Sequence, residues 1–116
     1  MLILAVMKQY VIDELRPHDY DQIKTYLDER FERAELDGIY WIELESRLLT
    51  PIQAEHTACR PFFFALALEP ASLACELLVR TKQRLRCDCM HYATEKQRNW
   101  VMGLIDAVFD ELAIKI

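Results

Sequence analysis

"PFFFALALEPASLACELLVRTKQRLRCDCMHY", residues 61–92, holds two apolar runs, a proline turn between them, and a third run rich in arginine and cysteine. The first run ends in Glu-Pro-Ala-Ser, where Pro70 pre-sets the backbone of a turn. The second, Leu73–Arg80, and the third, Arg84–Tyr92, flank Lys82 and Gln83 at a second turn. Short turns between successive strands favour an antiparallel meander.

In a strand, alternate residues share a face. Leu85, Cys87, Cys89 and His91 therefore point one way, with Arg84, Arg86, Asp88, Met90 and Tyr92 opposite. A two-residue turn at Lys82–Gln83 sets Cys87 beside Leu78 and Cys89 beside Glu76, whereas an odd-length loop aligns them with Val79, Leu77 and Cys75. Only the second register gathers apolar residues from both strands, and a slip of one residue reverses every side chain. Cys75, Cys87, Cys89 and His91 then lie together. Thiolate and imidazole suit zinc, so this set is a candidate metal site. Against it, free cysteine is commonly buried, and no CxxC, second CxC or HxH motif accompanies it. The expectation is a packed inner face, with metal binding as the alternative; a CxC on a rigid strand fits redox sensing poorly.

Working outward, "KQYVIDEL" (8–15) reads as a first strand and "IYWIELE" (39–45) as a second. Between them Tyr20, Ile23, Leu27, Phe31 and Ala34 form one apolar helical stripe. That helix starts at Pro17 or is capped by Asp19, and stops at Gly38, since glycine tolerates the left-handed conformation. Thr50 with Gln53 and Thr94 with Gln97 form capping boxes for a short helix and a last helix. Val101, Leu104, Ile105, Val108, Phe109 and Leu112 give the last helix its apolar face.

These elements predict an α+β fold: a two-layer sandwich, a mostly antiparallel sheet of about five strands, two main helices on one face and one short helix. The first helix is expected to cross over between parallel strands one and two. At 116 residues and 53% hydrophobic content, residues 1–116 read as one domain with enough apolar material to fold without a metal or disulfide. Residues 1–6 read as an extension ahead of Met7, a second candidate start.

Four unevenly spaced cysteines make no secreted disulfide framework, and the apolar "MLILAVM" is too short to span a bilayer. A reduced, cytoplasmic protein without membrane association is expected. Residues 13–55 carry a net charge of −7 and residues 60–98 a net +3, within a total of −5. This balance disfavours duplex nucleic acid. Arg80, Lys82, Arg84 and Arg86, with Arg98 nearby, form the basic cluster best suited to an acidic protein or a phosphate-bearing ligand. The acidic first helix and this cluster could also meet across a homodimer.

Two catalytic arrangements are weaker. His56 and Cys59 sit three apart, the nucleus of a cysteine-nucleophile site, but a helix C-terminus disfavours a thiolate. Glu43 and Glu45 alternate outward on one strand, with nothing to split their acidities. No phosphate loop, nucleophile elbow or HExxH motif is present. The expected function is a non-catalytic binding or self-association module without a cofactor.

Overall fold

The computed structural model describes residues 8–83 and 86–115, so the expectations for residues 1–6 and for Arg84 lie outside it. In chain order the elements are β1 (Gln9–Ile12), α1 (Pro17–Arg30), β2 (Glu32–Arg33), β3 (Ile39–Glu43), α2 (Pro51–Glu55), β4 (Phe62–Glu69), β5 (Ser72–Glu76), β6 (Arg80–Thr81) and α3 (Glu95–Glu111). Turns of 3-10 helix occupy Ser46–Leu48 and Thr57–Cys59. The strands form one antiparallel sheet in the order β1-β5-β4-β3-β2, with β6 also paired to β4. This is the α+β arrangement expected from the sequence.

Alternation along β4 sorts the sheet into two faces. Phe62, Phe64, Leu66 and Leu68 point inward and are buried, continuing sideways into Tyr40 and Ile42 of β3 and Leu73 and Cys75 of β5. Tyr10 and Ile12 of β1 extend the same rows. Both long helices cover this face. Ile23 and Leu27 of α1 join Val101, Ile105 and Phe109 of α3 in the same core. Polar tips fix the helices laterally: Tyr40 donates to Asp28 on α1 at 2.6 Å, and Tyr10 donates to Asp106 on α3 at 2.5 Å. The opposite face carries Val11, Ala74, Ala67, Ile39 and Trp41.

Four local expectations are corrected. Strands one and two are not parallel: β1 pairs antiparallel with β5 at one edge, and β3, beyond β4, runs opposite to β1. The first helix ends at Arg30, because Glu32 and Arg33 pair with Trp41 and Tyr40 instead of continuing the helix to Gly38. Pro17 does begin α1, but Asp19 is its third residue and reaches back to the Arg16 N–H at 3.2 Å instead of capping Gln22. Finally, residues 86–91 are not a strand. Among the described residues of this stretch, Leu78 and Tyr92 alone form a bridge, with Val79 N–H to the His91 carbonyl at 3.0 Å and Ala93 N–H to the Leu77 carbonyl at 2.8 Å. The pairing lies further along the chain than either expected register. The cysteine stretch is looped out between the two paired segments.

Gly38 turns the β2–β3 hairpin at φ 83°, and its carbonyl accepts from Leu68 N–H at 2.8 Å. A Cβ there would lie 2.9 Å from the Leu68 carbonyl oxygen. Gly38→Ala is therefore expected to destabilise the fold by roughly 1–3 kcal/mol through backbone strain and the close approach. Urea unfolding measures it, and an unchanged midpoint would refute this account.

Candidate metal centre

The loop released from the sheet reaches the end of α2. Thr50 accepts the Gln53 N–H through its hydroxyl and begins α2, with Pro51 at its first position. After five residues the helix gives way at His56 to the 3-10 turn, which carries Cys59. Opposite it, Met90 N–H bonds to the Cys87 carbonyl at 2.9 Å and closes a tight turn holding Cys87 and Cys89. One donor atom each from His56, Cys59, Cys87 and Cys89 lies within 4.8 Å of the other three. His56 Nδ1 is 3.1 Å from Cys87 Sγ, and Cys59 Sγ is 3.9 Å from it.

Buried hydrogen bonds hold both halves in place. Gln53, fully buried, donates from Nε2 to the Cys89 carbonyl at 3.2 Å and accepts the Thr50 N–H at 3.0 Å. Gln97, also fully buried, donates to Gln53 Oε1 at 3.0 Å and to the Leu48 carbonyl at 2.8 Å. The third residues of two capping boxes thus bond to each other, joining α2 to α3 beneath the site. The Thr81 hydroxyl donates to the Cys59 carbonyl, so β6 fixes the segment that carries Cys59. Among the described residues, no buried side-chain polar atom lacks a partner.

The thiols are electrostatically unequal. Cys87, half-buried, is lowered to about 6, first by the Cys89 backbone N–H pointed at its sulfur, then by side-chain donors on Cys89, His56 and Cys59. These donors stabilise the thiolate against the opposing effect of desolvation. Burial pushes Cys89 up to about 12, with the neighbouring sulfurs adding to the shift. Cys75 is also raised to about 12, by burial and then by Glu76. In the metal-free protein, iodoacetamide labelling of Cys87 is expected to rise through pH 6 and level off by pH 8, while Cys75 stays unlabelled until unfolding. Peptide mapping against pH checks both; a Cys87 midpoint near the ordinary thiol value of roughly 8.5 would contradict the first.

The ligand set differs from the one the strand reading suggested. Cys87 and Cys89 are common to both. Cys75 lies in the sheet, paired across the strands with Tyr10 and Leu66. His91 turns to Thr50, with Nε2 3.4 Å from its hydroxyl. Their places are taken by His56 and Cys59, considered from sequence only as a separate thiol pair. The available signal was two half-sites, HxxC and CxC, each able to supply two ligands. Of the described basic residues, Arg80 lines one surface pocket with Arg86 and another with Lys82, and three are engaged by acidic partners. Arg80 is paired with Glu76 at 2.9 Å, and Lys82 with Glu32 at 2.8 Å. Lys82 also lies over the rings of Phe63 and Trp41, while Arg98 faces Glu95 at 4.0 Å. Arg86 is exposed beside Cys87.

The chain matches no known protein family, curated protein or solved structure. Among the described residues, no helix is long and apolar enough to cross a membrane.

Proposed function

We propose that this protein binds one zinc ion through His56, Cys59, Cys87 and Cys89, and that the ion has a structural role. The carrying observation is the mutual approach of all four donors to within 4.8 Å. A tetrahedral zinc with Zn–S bonds of about 2.3 Å has sulfur–sulfur edges of about 3.8 Å. The Cys59–Cys87 separation of 3.9 Å is already close to that edge. Three soft thiolates and one imidazole match a Cys3His zinc set and poorly match the oxygen preferences of magnesium or calcium. Four protein ligands complete the tetrahedron and leave no position for substrate or a reactive water, which favours a structural ion over a catalytic one. A requirement for three reduced thiols also supports the cytoplasmic reading.

Native mass spectrometry of the untagged chain after zinc addition and buffer exchange tests the proposal. One zinc per chain is expected, lost in Cys59→Ser and Cys87→Ser but retained in His91→Gln. Folded protein supplied with zinc and carrying none would overturn it.

A second reading, recognition of an acidic protein or phosphate-bearing ligand, is supported by exposed Arg86. The internal pairing of Arg80, Lys82 and Arg98 weakens it. The sheet's outer face, with Val11 45% exposed, supports the homodimer reading. Light scattering over a range of concentrations tests the dimer, and a monomer throughout would remove it.

A further inference from the structure

The geometry points to a thiol-oxidation site within the same cluster: hydroperoxide oxidises Cys87, Cys59 resolves it as a Cys59–Cys87 disulfide, and bound metal is released. Only the release step rests on the zinc reading. Access separates the three sulfurs. Cys59 is 2% exposed and Cys89 is fully buried, whereas Cys87 is half-buried on a turn at the surface. An oxidant from solvent therefore meets Cys87 first.

Both other sulfurs stand near Cys87, and chain connectivity selects between them. Cys59 Sγ stands 3.9 Å from Cys87 Sγ on a separate segment, so closing to a bond length of about 2.05 Å needs an approach of about 2 Å. Cys87 itself lies outside any sheet ladder, so its side chain and turn supply that movement while Gln53 holds the Cys89 carbonyl. Cys89 is less suited to be the partner. It is only two residues from Cys87, and its own carbonyl is held by Gln53.

The chemistry closes without a further reactant. Cys87 sulfur attacks one peroxide oxygen; the S–O bond forms, the O–O bond breaks, and the departing oxygen leaves as water after taking a proton. Cys87 is oxidised by two electrons to a sulfenic acid, and the peroxide is reduced. Cys59 sulfur then attacks Cys87 sulfur; the S–S bond forms, the S–O bond breaks, and the hydroxide leaves as a second water with the proton from the Cys59 thiol, or with one from solvent where metal holds Cys59 as the thiolate. Two thiols and one hydrogen peroxide thus yield one disulfide and two waters. Removing two of four ligands leaves His56 and Cys89, too few to complete a tetrahedral zinc site.

The test treats the full chain with one equivalent of hydrogen peroxide in two arms, metal-free and zinc-loaded. In both arms a loss of two hydrogens is expected, with the peptides of Cys59 and Cys87 joined in a non-reducing digest. In the zinc-loaded arm a chromogenic chelator should detect one zinc released per disulfide. Cys59→Ser should trap Cys87 as a dimedone-reactive sulfenic acid, and Cys89→Ser should still form the same disulfide, which covers failure of the first variant to fold. A Cys87–Cys89 bond, or sulfinic acid on Cys87 with Cys59 still reduced, would overturn the proposal. Disulfide formation in a chain that never takes up zinc would overturn only the metal reading; zinc uptake without a disulfide would overturn only the oxidation site.

Discussion

Zinc is expected to raise the unfolding midpoint of the metal-free protein by roughly 16–32 °C when free zinc stands about 1,000-fold above its dissociation constant. The magnitude follows from linkage. A ligand that binds only the folded state adds about 4 kcal/mol at that excess, and each kcal/mol moves the midpoint of a small domain by roughly 4–8 °C. The site is suited to such coupling because His56 and Cys59 lie on one segment and Cys87 and Cys89 on another, 28 residues on. In the unfolded chain those two half-sites are seldom close. Differential scanning fluorimetry with and without zinc measures the shift, and Cys59→Ser should remove it.

The pH dependence has a definite sign. Zinc binds thiolate, and burial holds the Cys89 thiol up to about 12, so binding must expel its proton. Lower pH supplies the competing proton. The zinc-induced shift should therefore shrink from pH 8 to pH 6. A shift that grew on acidification would contradict ligation by these thiols.

The sequence made the elements legible where the signal was local. Thr50 with Gln53 and Thr94 with Gln97 mark helix starts through side-chain to backbone bonds three residues apart, and both capping boxes are present. Pro70 lies in the two-residue turn between β4 and β5, where Glu69 pairs with Ser72. What failed depended on partners distant in sequence. "YVI" reads as a strand, but only its hydrogen bonds with residues 73–76 place it at the β5 edge. Phe31 and Ala34 continue a helical stripe, yet pairing of Glu32 and Arg33 with β3 outweighs that local preference.

The candidate site was missed for a related reason. Alternation in Cys-Asp-Cys-Met-His has the period of a strand, which on sequence alone points to a pleat. In the fold it belongs to a turn that directs two cysteines toward another loop. Each half-site was visible alone, but nothing in the intervening residues joins His56 to Cys87. Their approach depends on the sheet carrying β6 back along β4 and on Gln53 holding the Cys89 carbonyl.

That support implies the second large effect. Gln97→Leu is expected to destabilise the protein by roughly 3–5 kcal/mol although it changes no ligand. Its side chain is fully buried, and three bonds depend on it: Nε2 serves the Leu48 carbonyl and Gln53 Oε1, while Oε1 accepts the Thr94 N–H at 3.1 Å. Leucine of similar size restores none of them. Leaving a buried polar partner unsatisfied costs roughly 1–3 kcal/mol each. Gln53→Leu should cost a similar amount and also free the Cys89 carbonyl, weakening zinc binding by roughly 10–100-fold, as loss of a ligand's supporting bond does elsewhere. Because the two glutamines bond to each other, the double variant should lose less than the sum of the single losses. Urea unfolding of the four proteins measures the coupling, and zinc titration separates the two roles. Strict additivity, or equal loss of zinc affinity in both single variants, would show that the glutamines do not act as this paired support.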